Sequence, residues 1–389
     1  MADMMDYLDW RGDLTFEASG FNEVDNLILA QLVYVEFEGI VPGIDSDDSV
    51  SLKEASDIFW STNDAKEILA RVSMTKSAPF VMERMAKTKR FSNIRLSKYV
   101  NDISDEEQSQ FSVVCVTLPD DSVYVAFSGT DSTIVGWREN FNMGYLLETP
   151  GQLKAVDYLN KVVTPEHRVL RVGGHSKGGN LAVYASVNCE PWIQDRIVDV
   201  YSNDGPGFRQ EVVESEKYQR MLPRIKTILP ESSIVGMLLE HQESFEVVKS
   251  SQSGIQQHDA TSWEVMGNRF VYVSQVAAQS LMVDKTMKAW IYQLDGEERE
   301  AIVDTVFSML EEANIRTVDD FYNSRWKKVQ ELLKAKSKLP EETQKLFSKA
   351  LKLLWSEGNK TVRKTVKQAM QEHREEHPKG KPIEFLKKV

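Results

Sequence analysis

Gly174-His175-Ser176-Lys177-Gly178 sets a serine between two glycines where an apolar run, HRVLRVGGHS, gives way to the helix-forming GGNLAVYASVNC. A serine hydroxyl is a poor nucleophile at neutral pH unless it is held clear of its surroundings and given a base. A sharp strand-to-helix turn does the first. Side chains two residues to either side would strike neighbouring backbone, hence Gly174 and Gly178, and the following helix aims its first amides at the hydroxyl. The Lys177 amide is thereby placed to donate to a developing oxyanion. Its side chain is unusual where apolar residues are commoner, and is expected to lie in water. The five letters alone arise by chance; the flanking strand and helix separate this segment from a glycine-rich turn with a capping serine.

The base and the orienting acid must come from elsewhere in the chain. On a sheet carrying such a turn the order is serine, acid, histidine, which leaves His241, His258, His373 and His377. The last two belong to a charged tail, and their i, i+4 spacing reads as a solvated helical face. His258 is preferred as the base, because SQSGIQQHDATSW follows the run SFEVVKSS and would swing over the serine. For the acid, Asp204 ranks first: it ends IVDVYSND and precedes Gly205-Pro206-Gly207, a rigid turn that pins a carboxylate at a strand end. Glu231, ending the next strand, is the alternative. Asp259 is third, since an immediate neighbour has trouble reaching the far ring nitrogen. A second oxyanion donor is expected from the loop after an early strand, where VYVAFSGTDS places Thr130.

The elements that must position these groups follow from periodicity. FNEVDNLILAQLVYVEFEGI has apolar residues at helical spacing and reads as a core-facing helix. FSVVCVTLPDDSVYVAFSGTD is two Val- and aromatic-rich runs about Pro119-Asp120-Asp121-Ser122, a hairpin pattern. Helical GYLLETPGQLKAVDYLNKVVTP leads to the strand before Ser176. After the GGNLAVYASVNC helix come strand IVDVYSND, helix FRQEVVESEKYQRML, strand IKTIL and strand SFEVVKSS. That alternation predicts an α/β fold with a mostly parallel central sheet flanked by helices. From about Ser274 the chain turns helical. Residues 1–320 are expected to form one domain, with 281–320 as helices packed on the sheet, and 325–389 a separate basic helical extension.

With these residues in place, AFSGT, GGHSKGGNLAVYA and the Asp204 turn resemble the class 3 lipases, whose corresponding segments read F-R-G-T/S and G-H-S-L-G-G. Over roughly residues 5–310, through DYLDWRGDLTF, GTDSTIVGWRENFNM, SNDGPGF, PESSIVGML and QHDATSWEV, the chain resembles the Mbeg-like bacterial hydrolases. The resemblance implies an α/β-hydrolase fold, Ser176 as nucleophile, His258 as base and Thr130 in the oxyanion hole. It implies no substrate. One departure stands out: class 3 lipases carry their acid in a D-I-V-P-like segment, and SSIVG puts Ser233 in that slot. The resemblance then implies an acid moved to Asp204 or Glu231, or lost. Asp204-Gly-Pro-Gly is similar to the D-P-A-type turn by which some lipases supply the acid from the preceding strand.

Composition bounds what remains. The 389 residues are 41% hydrophobic and 27% charged, ordinary for a folded globular chain. No run approaches the ~20 apolar residues of a spanning helix, and the acidic opening does not read as a signal peptide, so a cytoplasmic location is expected. The two cysteines, Cys115 and Cys189, read as small buried hydrophobes rather than a disulfide framework, and the six histidines show no metal-ligand spacing; no cofactor or metal is expected. Residues 325–389 carry 18 Lys and Arg against 8 Asp and Glu, although the whole chain has a net charge of −12. No aromatic platform accompanies these charges, so no nucleic acid is expected; peripheral contact with anionic lipid, or docking on the acidic body, are the uses left open. The expected chemistry is cleavage of a carboxylic ester, the substrate being a small acyl ester or a lipid. The alternative is a hydrolase-like scaffold without catalysis whose basic tail docks a partner. SIVGMLLEH is a candidate lid or acyl pocket, or else a buried helix.

Overall fold

The computed structural model describes residues 1–313 other than 72, 74 and 132, together with 315, 330–332, 334, 339–341, 343–346, 348–350, 352, 353, 355–357 and 360. The extension expected over 325–389, including His373 and His377, lies for the most part outside the described residues.

The chain has an α/β fold built on a mixed sheet whose strands lie side by side nearly in chain order. The strands are β1 (Val50–Ser51), β2 (Arg95–Ser104), β3 (Ser109–Thr117), β4 (Val123–Phe127), β5 (Leu170–His175), β6 (Ile197–Asn203), β7 (Ile225–Pro230) and β8 (Phe245–Val248). A short hairpin, β9 (Val265–Met266) and β10 (Arg269–Phe270), precedes β11 (Tyr272–Val273), which closes the large sheet antiparallel to β8. β1 to β4 are joined antiparallel and β4 to β8 run parallel.

Alternation along the central strands feeds two cores. Val113 and Cys115 of β3, with Val123, Val125 and Phe127 of β4, face the helices Pro150–Val162 and Lys177–Asn188. Val114, Val116, Tyr124 and Ala126 face the helix Glu23–Leu32 and the N-terminal elements. A strand covered on both faces must be apolar at every position, which is why these runs are nearly unbroken Val and Phe. The helix Lys177–Asn188 is buried from Lys177 to Val187, being walled in by the sheet and by the helices Pro150–Val162 and Glu216–Met221.

Two local expectations are corrected, and one strand leaves no signal in the sequence. The stretch expected as a helix after β6 is two short helices, Gln210–Val213 and Glu216–Met221, because Ser215 accepts the Tyr218 amide (3.2 Å) and starts a new cap. β2 escapes periodicity because its register shifts between Ser97 and Val100, with Lys98 at φ 55°. The helices Ala278–Tyr292 and Gly296–Glu312 were expected on the sheet. The second instead meets the helix Ile134–Asn142, through Arg138 on Asp304 (2.5 Å) and the Phe141 and Phe307 rings (5.8 Å). Cys115 and Cys189 are buried free thiols.

Candidate active site

β5 ends at His175 and the next helix begins at Lys177, so Ser176 alone makes the turn, at φ 58°, ψ −132°. A non-glycine residue held there stores about 1–3 kcal/mol of backbone strain, sustained only because the surroundings over-determine it. The constraint is visible in the glycines. A Cβ on Gly174 would lie 2.3 Å from the Gly178 carbonyl carbon and 2.5 Å from the Phe127 oxygen. One on Gly178 would lie 2.1 Å from that same oxygen. The end of β4 thus presses on both sides of the turn. The Ser176 side chain makes no cap bond to its own helix, which separates it from an ordinary capping serine.

His258 arrives on a short 3-10 turn, Gly254–His258, between β8 and β9. Its Nε2 lies 3.0 Å from Ser176 Oγ and its Nδ1 2.6 Å from Asp204 Oδ2. Asp204 follows β6 directly, fully buried, at φ 51° in the left-handed region that Asp tolerates better than most residues. Its other oxygen, Oδ1, accepts the Ser233 hydroxyl (2.5 Å) and the Gly236 amide (3.1 Å). Burial by itself pushes the Asp204 carboxyl up, but the His258 hydrogen bond and charge, aided by Ser233, outweigh it and hold the group below its ordinary value.

The other candidates are placed differently. The Glu231 amide donates to the Val248 carbonyl and its carbonyl accepts the Ala277 amide, and its carboxylate has no bond to His258 among the described residues. Asp259 caps the next turn, accepting the Thr261 amide (3.0 Å) and hydroxyl (2.7 Å). His241 pairs with Glu243 (2.9 Å), away from Ser176. The segment 233–241, a candidate lid, acyl pocket or buried helix by sequence, forms no longer helix than one 3-10 turn, and its Leu238, Leu239 and Glu240 line a cavity with Phe208 and Arg209. Its 3-10 turn Val235–Met237 supplies the Gly236 amide to Asp204, and Glu240 forms a bridge with Phe208.

Gly129, where a Cβ would come 3.1 Å from Ser176 Cβ, brings the loop after β4 against the serine. Its amide is taken by the Tyr34 hydroxyl. Among the described residues the next amide, Thr130, and the Lys177 amide have no partner. The Thr130 hydroxyl accepts from Asn140 Nδ2 (2.7 Å).

Several contributors were not foreseen. His175 Nε2 lies 2.8 Å from the His258 carbonyl, which can only accept, so Nε2 carries the ring proton. Its Nδ1 and its carbonyl each lie 3.1 Å from the Tyr34 hydroxyl. Burial, then the neighbouring His258, push the His175 pKa down to about 3, so the ring is neutral. Asn203, just before Asp204, accepts the Ser176 amide at its carbonyl (2.9 Å) and donates from Nδ2 to Gly174 (3.0 Å). Asn26 of the helix Glu23–Leu32 donates to Asn203 Oδ1 (2.9 Å). Only the position of Ser233 in the slot of a missing acid gave a hint in the sequence.

The Lys177 side chain overturns the expectation of a solvated group. It is fully buried, with Nζ donating to Gln110 O (2.5 Å), Gln110 Oε1 (2.7 Å) and Glu139 Oε2 (2.8 Å). Packed against β3 and the helix Ile134–Asn142, it has no route to water, and all three of its protons are used.

A family model described as Mbeg1-like matches residues 85–308, a span that contains Thr130, Ser176, Asp204 and His258. No curated protein matches the chain. Among solved structures, the crystal structure of M37 lipase aligns at 16% identity over 54% of this chain and 68% of that one, with a TM-score of 0.33, a likeness too remote to bear on the site.

Proposed function

The chain belongs to the Mbeg1-like family, and from that premise we propose that it is a serine hydrolase that cleaves a carboxylic ester through an acyl-enzyme on Ser176. The observation that carries the reading is one imidazole set between a hydroxyl at 3.0 Å and a buried carboxylate at 2.6 Å. Asp204 receives the Ser233 hydroxyl and the Gly236 amide on one oxygen, so it acts as an acceptor and draws the His258 proton to Nδ1. Nε2 then faces Ser176 Oγ as a lone pair. As Oγ attacks the ester carbonyl, Nε2 takes its proton, and Asp204 steadies the imidazolium. The same proton passes to the departing alcohol. Water, deprotonated by His258, attacks the acyl-enzyme; the imidazolium passes that proton to the departing Ser176 Oγ, and the carboxylic acid is released.

The oxyanion is assigned to the Lys177 and Thr130 amides, which have no other partner among the described residues, while Gly129 is committed to Tyr34. Small acyl esters and lipid esters both fit this chemistry, and cytoplasmic residence is part of the proposal. Among the described residues no helix is long and apolar enough to cross a membrane. The rival scaffold reading draws on the absence of an acid at Ser233; the Asp204 bond to His258 supports the catalytic reading over it.

A fluorophosphonate probe tests the proposal. Only an activated serine reacts quickly, so the folded protein should label and Ser176→Ala should not. Equal labelling of the two, or none of either, refutes it.

A further inference from the structure

We propose that the helix Ile134–Asn142 is the brace of the oxyanion hole, holding Lys177 through Glu139 on one side and Thr130 through Asn140 on the other. The inference rests on the hydrolase reading above and adds positioning residues to it.

Two amide donors stabilise an oxyanion only if the gap between them suits the tetrahedral species, and here they come from separate parts of the chain. Lys177 is the first residue of its helix, and Thr130 stands in the loop after β4. The helix Ile134–Asn142 begins four residues after Thr130 and carries both contacts one residue apart. Asn140 Nδ2 holds the Thr130 hydroxyl at 2.7 Å, and Glu139 Oε2 holds Lys177 Nζ at 2.8 Å. At Gly136 a Cβ would come 2.9 Å from Thr130 Cγ2 and 3.2 Å from Gln110 Oε1, so the same helix also packs directly on the loop.

The Glu139 carboxylate is satisfied from every side. Oε1 accepts the Gly151 amide (2.7 Å) near the start of the helix Pro150–Val162, and Oε2 accepts the Gln110 amide (3.1 Å) besides Lys177. An apolar pair of the same volume would fill this space without desolvating two charges. What the ion pair adds is direction: three short bonds on Nζ leave the first residue of the elbow helix one place to sit relative to the helix Ile134–Asn142.

The test uses the full chain with p-nitrophenyl acetate as substrate and a trifluoromethyl ketone as a mimic of the tetrahedral oxyanion. The double variant Lys177→Met with Glu139→Gln removes both charges together while leaving an acceptor for the Gly151 amide. Its kcat should fall at least tenfold with KM within twofold, and ketone affinity should weaken in step with kcat. Asn140→Ala, which leaves the ion pair intact, should shift kcat and ketone affinity in the same way by threefold or more. If circular dichroism shows the double variant unfolded, Asn140→Ala alone decides. A wild-type protein inert to fluorophosphonate and ester removes the hydrolase reading and the brace with it. An active wild type whose folded variants keep kcat and ketone affinity, or lose KM and kcat alike, overturns the brace alone.

Discussion

His175 gives the sharpest quantitative expectation, because its ring is buried, neutral and bonded at both nitrogens. In the unfolded chain it titrates near its ordinary value of 6.5, whereas in the folded protein its pKa is pushed down to about 3. As pH falls below 6.5 the unfolded state takes up a proton that the folded state refuses, so stability is fully present above that point and drains away toward pH 3. Linkage puts the loss from this one group at about 2 kcal/mol between pH 8 and pH 5, and about 3 kcal/mol by pH 4. The pH 5 figure hardly depends on where below 4 the folded value lies. Urea unfolding of the wild type and of His175→Gln at pH 8, 6 and 5 isolates the effect. Glutamine can still donate to the His258 carbonyl and accept from Tyr34, and any constant offset cancels between pH values. The wild type should lose about 2 kcal/mol more than the variant on going from pH 8 to 5. Parallel losses in the two proteins would mean that His175 is protonated in the fold, and the deduced Nε2–H tautomer would be wrong.

Further outcomes follow from the same contacts. Asp204→Asn can no longer hold His258 with Nε2 free, and esterase kcat should drop by roughly 10³–10⁴ with the fold retained by circular dichroism. Ser233→Ala takes one donor from the Asp204 carboxylate, whose folded pKa lies below its usual value. That pKa should rise toward its usual value, so the variant should lose less stability than the wild type when urea unfolding is compared at pH 5 and pH 3, and equal losses would show that Ser233 does not act on the acid. Gly178→Ala forces a methyl to within 2.1 Å of the Phe127 oxygen and should cost about 1–3 kcal/mol or more in thermal unfolding, while Gly20→Ala, with nothing within 4 Å, should be near neutral. Arg90→Met strands the fully buried Asp25, its partner at 2.5 Å, and should cost about 3–5 kcal/mol while leaving fluorophosphonate labelling of the folded protein unchanged.

Much of the architecture is local and was therefore legible. The hairpin β3–β4, the parallel strands β5 to β8 and the turn at Ser176 all follow from runs of β-branched residues, helical spacing and the glycines at 174 and 178, since each reflects the environment of a few consecutive residues. The two-residue strands and the bulged β2 are too short or too irregular to leave a period. Chain order narrowed the base and acid to a handful of names, but no rule of spacing distinguishes three carboxylates that all precede or adjoin His258. Only the packing of β6 beside β5 sets Asp204 under the imidazole, while Glu231, just past the end of β7, is tied through its backbone to Val248 and Ala277. The same holds for Lys177. Its place in the motif suggested a free surface charge, and its actual partners, Gln110 and Glu139, lie 67 and 38 residues away in sequence. Local sequence determines which residues can turn, extend or coil, because those preferences act between neighbours. Which polar groups meet in the interior depends on how the elements stack, and only the tertiary structure decides that.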